Sequence, residues 1–338
     1  MNLPFVDRSL HYQGDRMKAV RLFAAFFACS VSAAGVAWSQ AFPAKPVRVI
    51  VPFPPGGAND IVSRLVFTKL SEQLGQQFII ENRAGAGGTI GSAVVAQSKP
   101  DGYTLLIQTA ASHVSNPHLY TKLPYDALRD FVGISPLAQV VAVLTVHPAL
   151  PPRSVKEFIA LAKQRPQQIL HGHSGYGSFT HFNGVLFESR AGIRMTHVPF
   201  KGGGPAVIAL VSGETQAQVA AIGELIAYIK SNRVRALGVT SRERVAQLPD
   251  VPTIADTIPG YESWTWVSAF APAGTPRAII DRLNAELGKA MNDPDIAAKL
   301  SAQTLYPAHR PPEELDKRLR TDYEMIGKLF RQFGVKLE

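Results

Sequence analysis

The sequence predicts an α/β protein of two lobes, each a sheet flanked by helices. Three observations predict it. Short β-branched runs alternate with helical patterns along the chain, which favours helix layers on sheets. Glycine- and proline-rich turns recur where those runs end, beginning with Pro52-Phe53-Pro54-Pro55-Gly56-Gly57. Two proline-rich joints, 147–152 and 248–260, bracket a middle block with its own strands and helices. They imply a discontinuous first domain over 42–144 and 262–338, with a second domain, 145–261, inserted in it. Two crossing strands would form the hinge, with the site in the cleft between the lobes.

The first segment, 1–39, reads as an export signal rather than fold. Lys18 and Arg21 precede an uncharged run from Leu22 to Ala37, and Ala37-Trp38-Ser39 offers a small-residue cleavage site before Gln40. The run is shorter than the ~20 apolar residues of a membrane-spanning helix. Met17 is the expected true start, because 1–16 add nothing to a signal. The single cysteine, Cys29, lies inside the segment, and Phe26-Phe27-Ala28-Cys29 is a poor lipoprotein box. A mature chain without cysteine has no disulfide framework and no thiolate ligand or nucleophile. The expected compartment is the periplasm.

The first strand is Val47-Arg48-Val49-Ile50-Val51, and the helix after it carries Ile61, Leu65 and Leu70 on one face. Further strands are expected at 78–81, 103–108, 140–146, 169–172, 195–198, 216–220, 235–240 and 266–271, with helices between them. Ser154-Val155-Lys156-Glu157 has capping-box spacing. Thr275-Pro276 reads as an N-cap followed by proline, and Ile279, Ile280, Leu283, Leu287 and Met291 then recur at helical spacing. A last helix is expected from Pro312 to Phe333. Trp264 and Trp266 alternate on a strand near the hinge, which core packing explains.

The chemistry concentrates in the strand-end loops. In 52–60 the prolines stiffen the turn, and Gly56 and Gly57 bare the backbone. Amides at the helix N-terminus then form a seat for an anion, with Phe53, Pro55, Ala58 and Asp60 beside it. A tight strand-to-helix connection explains the same residues, and both readings stand. Gly85-Ala86-Gly87-Gly88-Thr89-Ile90-Gly91 fits neither a dinucleotide fingerprint nor a P-loop. Gly88 is its candidate for close backbone approach. Thr109 and Ser112, at the end of the third strand, are candidate hydroxyl donors to a carboxylate; loop filler is the plainer alternative. In 172–181, Tyr176 stands where a nucleophile elbow needs glycine. A second anion seat at Ser178, Thr180 and His181 is the better reading, with simple N-capping by Ser178 compatible with it. Phe200-Lys201-Gly202-Gly203-Gly204-Pro205 repeats the logic: Phe200 could pack on a ligand, Lys201 could pair with one, and Gly202 bares the main chain.

Composition excludes other classes. The formal charge of +9 becomes +7 once four cations (Arg8, Arg16, Lys18, Arg21) and two anions (Asp7, Asp15) leave with the signal. The remaining cations are scattered and no basic block with interleaved aromatics exists, so no nucleic acid is expected. A mild positive field would gather small anions. Among the nine histidines, His171 and His173 are two apart and His113 and His118 five apart, which is not metal-helix spacing. No metal, no cofactor and no enzymatic constellation is expected. A secreted serine hydrolase using Ser174 or Ser178 with His173 or His181 remains the enzymatic alternative.

Eight of these segments, in order, resemble the solute receptors of tripartite tricarboxylate transporters, the Bug receptor family. They are 45–60 (KPVRVIVPFPPGGAND), 81–88 (ENRAGAGG), 100–106 (PDGYTLL), 123–126 (LPYD), 198–202 (VPFKG), 234–241 (VRALGVTS), 248–253 (LPDVPT) and 271–276 (APAGTP). The resemblance implies a two-lobed, Venus-flytrap receptor of the periplasmic binding protein type. It would be a monomer that hands a small organic anion, a di- or tricarboxylate or an aromatic acid, to membrane permease subunits. A role as ligand-loaded sensor for a membrane kinase is the alternative partnership. The resemblance maps the ligand carboxylate to Pro55–Asp60 on one lobe, and to Ser178–His181 with Phe200–Gly203 on the other. Phe200 stands where such receptors often carry tyrosine, and Tyr176 and Phe179 are bulkier than usual there. These departures favour a less polar acid.

Overall fold

The computed structural model describes Met1 and residues 42–335. The export segment, its cleavage after Ser39 and Cys29 lie outside the described residues. The chain divides into two compact units, Met1–Ala44 and Lys45–Glu338, and the fold is that of the second.

One mixed sheet organises this unit. Strand β1 (Val47–Val51) is buried at Val47, Val49, Ile50 and Val51, as expected of a β-branched run covered on both faces. It pairs in parallel with β2 (Phe78–Asn82) and β3 (Thr104–Thr109). Strand β4 (Phe131–Val146) and strand β9 (Trp264–Pro272) run antiparallel to each other from Phe131 opposite Pro272 to Val141 opposite Trp264. Strand β9 continues to β3 on its other side. From Ala142 on, β4 turns to other partners, β7 (Ala217–Ala221) and β8 (Arg235–Val239), both antiparallel. Strand β7 lies parallel to β5 (Leu170–His173), and β5 to β6 (Thr196–Pro199). A short β10 (Leu305–Pro307) pairs with β4. The sheet order is therefore β2-β1-β3-β9-β4-β7-β5-β6, with β8 and β10 both on β4.

Helices cover the sheet: α1 (Ala58–Leu74), α2 (Thr89–Ala96), α3 (Ala110–Leu119), α4 (Val155–Gln164), α5 (Phe179–Ala191), α6 (Gly203–Ser212), α7 (Ile222–Lys230), α8 (Arg277–Met291), α9 (Pro294–Ala302) and α10 (Pro312–Phe333). Each of β1, β3, β5, β6 and β7 hands over at its C-terminal end to a helix, directly for β3 and β7 and through a loop for the others, and in α/β sheets that is the edge where ligands bind.

Most expected elements form within a residue or two of their read positions, and α10 has the expected bounds. Three differ. Strand β4 begins at Phe131 instead of Val140, because Gly133 and Pro136 interrupt its apolar pattern. The strand absorbs them in register shifts between Gly133 and Ser135 and between Pro136 and Ala138, where proline is tolerated. Residues after Thr109 are a helix rather than loop filler. Ser154 does cap α4, accepting from the Glu157 amide, but Glu157 reaches back to the Arg153 amide instead of closing the box on Ser154. Thr275 donates to the Pro272 carbonyl, and α8 starts after Pro276.

Candidate functional site

The N-terminal residues of five helices converge on one small recess of about 50 Å³. Gly57, Ala58 and Asn59 come from the start of α1, Thr109 and Ser112 from α3, and Ser178, Phe179 and Thr180 from α5. Gly203 comes from α6, and Ala221 and Glu224 from α7. Phe53, Pro54, Pro55, Val140 and Ser174 complete the wall. The first amides of each helix have no acceptor within it, and its dipole places partial positive charge there. Such a recess favours a negative guest.

The five ends are not alike. Thr109 accepts from the Ser112 amide and Ser178 from the His181 amide, so α3 and α5 carry side-chain caps. Their hydroxyls are positioned as part of this capping. Thr109 Oγ1 donates to Ser112 Oγ at 2.7 Å, and Thr180 Oγ1 lies 2.8 Å from Ser174 Oγ and 3.0 Å from Ser178 Oγ. By contrast α1, α6 and α7 start without a side-chain cap. The first helical bonds there are Ile61 N–H to the Gly57 carbonyl and Ala206 N–H to the Gly202 carbonyl. The amides of Ala58, Asn59, Gly203 and Gly204 thus have no acceptor inside their helices, and Pro205 has no N–H to offer.

Glu224 lines this recess and, among the described residues, is the only ionisable one that does. Burial pushes its carboxyl up to about 7, opposed only by the Ala58 amide that faces it. Oε2 is enclosed without a hydrogen-bond partner, and so is Asn59 Oδ1 on the same wall. Gly203 makes room for the acid: a Cβ there would lie 2.7 Å from Glu224 Oε2. At Gly57 a Cβ would meet Glu224 Oε1 at an ordinary 3.7 Å. Sequence reading missed Glu224. Its one signal was an acid three residues past a strand end in the apolar run Ala220-Ala221-Ile222-Gly223-Glu224-Leu225-Ile226.

A larger chamber of about 400 Å³ shares Phe53, Pro54 and Ser174 with the recess. Its other walls include Gly85, Gly87, Gly88, Tyr120, Tyr176, Phe200, Lys201 and Gly202. Glycines let the opposing loops meet. Gly202, at φ +113, would place a Cβ 2.7 Å from Pro54 Cγ, and a Cβ on Gly87 would collide with the Tyr176 carbonyl. Gly88, at φ +94, turns its bare face to the Phe53 ring.

Of the residues singled out in the sequence, Phe53, Pro55, Gly57, Ala58, Thr109, Ser112, Ser178 and Thr180 line the recess. Gly88, Phe200, Lys201 and Gly202 line the chamber with Phe53. Gly56, Asp60 and His181 line neither. The Gly56 amide is spent on Asp60 Oδ2 at 3.0 Å, and Asp60 also accepts from Arg64 and Asn82. Its carboxylate locks the loop instead of facing a guest.

His181 belongs to a cluster with buried His171 and His173 and half-buried His197. Ring nitrogens of His173, His181 and His197 lie within 4.8 Å of one another, a trio that the spacing did not foretell. Its hydrogen bonds have one fixed direction. The Val219 amide donates to His171 Nε2, so His171 Nδ1 carries the proton and donates to His197 Nδ1 at 3.2 Å. His197 Nε2 then donates to Glu188 Oε2 at 3.0 Å, and Glu188 also takes the Met195 amide. Both His197 nitrogens are thereby engaged, which leaves no lone pair there for a metal. Burial, together with the neighbouring imidazoles, holds His171, His173 and His181 neutral, with His173 lowered to about 3. The cluster touches the loop 174–178: His181 Nδ1 accepts from the Gly177 amide at 3.3 Å, and the His173 ring meets that of Tyr176. Among the described residues neither Ser174 nor Ser178 bonds an imidazole through its hydroxyl; their hydroxyls meet Thr180, and Ser178 caps the helix.

Helix ends facing one another across β4 and β9 define a solute-binding protein with the α/β periplasmic binding protein fold. More narrowly, the chain belongs to the tripartite tricarboxylate transporter family receptors, whose model matches residues 62–335. It is 39% identical over 296 residues to a protein from the tcbD-tcbE intergenic region of Pseudomonas sp. strain P51, covering 87% of this chain and 88% of that one. Among solved structures it is similar to R. palustris Rpa4515 with adipate (TM-score 0.83, 32% identity, 88% of this chain and 100% of that chain). It is also similar to MatC from Rhodopseudomonas palustris with bound malate (TM-score 0.80, 31% identity, 85% and 99%). Receptors of this family are periplasmic, and the family and fold are those of solute receptors rather than enzymes. No described helix is long and apolar enough to cross a membrane.

Proposed function

We propose that this chain is a periplasmic receptor that clamps an organic carboxylate between two lobes, 42–144 with 262–338 and 145–261. It is exported by a signal cleaved after Ser39 and passes its ligand to permease subunits of a tripartite tricarboxylate transporter. The observation that carries this reading is the convergence of five helix N-termini on one recess. A recess of about 50 Å³ suits a carboxylate head, since one water takes about 30 Å³ of liquid. The ligand body runs past Phe53 and Ser174 into the chamber, between Tyr120, Tyr176 and Phe200. Those walls suit an aromatic ring or a chain of about adipate's length, and Lys201 stands ready for a second carboxylate. The structures with adipate and malate support the ligand class.

Charge-assisted hydrogen bonds contribute about 1.5–3 kcal/mol each, and micromolar affinity needs about 8 kcal/mol. Four or five backbone and hydroxyl donors, offset by ordering costs, reach that range. A guest touching both lobes prefers the closed state and so drives closure. Thermal-shift titration with adipate, malate and benzoate tests the reading: at least one acid raises Tm in a saturable way. A flat response to all three, confirmed by calorimetry, removes the carboxylate receptor.

A further inference from the structure

We infer that Glu224 makes ligand capture proton-coupled: the recess takes an anionic carboxylate together with one proton, which Glu224 holds and donates to the guest. This rests on the receptor reading above and adds a condition to it. The recess joins two features that conflict unless a proton is present. Five helix ends offer positive potential to an anion, yet a carboxyl of the protein already faces the Ala58 amide where that anion would sit. Two ionised carboxylates sharing so small an enclosure repel strongly. An acid O–H pointing at a carboxylate removes the repulsion and makes a short, charge-assisted bond. Glu224 Oε2, enclosed and unpartnered, is the atom free to carry that proton.

Nothing charged nearby supplies a competing explanation. On α1, Asp60 is committed to Arg64, Asn82 and the Gly56 amide. Before α6, Lys201 lines the chamber and not the recess. On β5 and α5, His173 and His181 are held neutral by burial. No charged side chain contributes to the carboxyl's shift, which burial dominates. At neutral pH the group sits near its midpoint, so binding above that pH must draw a proton from solvent. The site then accepts monoanionic acid heads and penalises capture in alkaline surroundings.

The test is calorimetry with adipate and with benzoate, from about pH 6 to about pH 9, in buffers of different ionisation enthalpy. Wild type is expected to take up close to one proton per ligand at the alkaline end, with Kd rising about tenfold per pH unit above about pH 7. Glu224→Gln keeps a hydrogen-bond donor without titrating, so its Kd should stay flat within about twofold and its proton uptake should vanish. Equal pH slopes in the two proteins overturn the inference, as does a flat wild-type profile. Affinity that rises with pH overturns it too, and would make the ionised carboxylate a seat for a cationic group. If neither acid binds either protein at any pH, and malate does not bind either, the receptor reading fails as well. A ligand-free measurement still decides the proton's place: the Glu224 carboxyl, followed by carbon NMR against Glu224→Gln, should titrate near neutrality, and an ordinary carboxylate midpoint refutes the assignment.

Discussion

Asp60 and Glu224 hold the same place in two helices, the third residue of α1 and the third residue of α7, and they have opposite fates. Burial raises the proton affinity of both. For Asp60, bonds from Arg64, the Gly56 amide and Asn82 outweigh it and hold the carboxyl below its ordinary value. For Glu224 one amide is the only counterweight, and the carboxyl moves up to about 7. Helix position alone therefore decides little; the number of donors that neighbouring elements bring decides whether an acid is a lock or a working group. Asp60 fixes the loop that presents Ala58, while Glu224 occupies the space that loop encloses.

The contrast breaks most sharply in unliganded stability. Folded Glu224 keeps its proton up to about pH 7, whereas the unfolded chain loses it near the ordinary glutamate value of 4.5. Between those values the folded state binds more protons, so stability falls as pH rises and the loss is complete above about pH 7. Glu224→Gln should thus stabilise the empty protein at about pH 8 by up to about 3 kcal/mol and hardly at about pH 4, measured by urea unfolding. A uniform gain at both pH values would assign the effect to packing.

Next in size is Gly203→Val. Its Cβ takes the place of the Glu224 carboxyl, so binding of adipate or benzoate should weaken by about 100-fold or more, roughly 2.7 kcal/mol. Gly57→Ala, with only an ordinary contact to make, should cost little by comparison. Asp60→Asn removes charge from a three-partner lock and should destabilise the protein by about 1–3 kcal/mol near neutral pH. Because the Asp60 carboxyl lies low, that penalty is present above the unfolded value of 3.8 and shrinks as acid protonates wild type through the folded pKa. Chemical denaturation at two pH values reads it directly. The smallest effect belongs to Lys201→Ala. An exposed ammonium is screened, so adipate should lose only a few-fold in affinity and benzoate nothing; equal losses would put the lysine's effect on the shared carboxylate head, and no loss for either acid would place it outside the ligand's reach.

The fold was largely legible because its signals are local. The β-branched run of β1 and the amphipathic spacing of α10 are written within single elements. Strand β4 was only half read, since Pro136 and Gly133 hide a strand that a nine-residue partner still holds through two register shifts. The site was legible in the same proportion. Glycine and hydroxyl positions at strand ends pointed to Ala58, Thr109, Ser178 and Gly202 without any knowledge of how they meet. Glu224 escaped because its meaning comes from α1 and α6 arriving over it, and nothing within α7 records that. The imidazole relay escaped likewise, with its members spread over β5, α5 and β6. Asp60 was misplaced for the converse reason: its helix position suits an anion seat, but Arg64 and Asn82 claim it first.

Strand β4 belongs to β9 along one stretch and to β7 and β8 along the next. If the two proposed lobes swing against each other, that strand takes up the motion as torsion where it changes partners, between Val141 and Ala142. In that reading, a stiffer or looser ribbon at this handover would reset how readily the jaws shut, tuning apparent affinity without altering any group that donates to the solute.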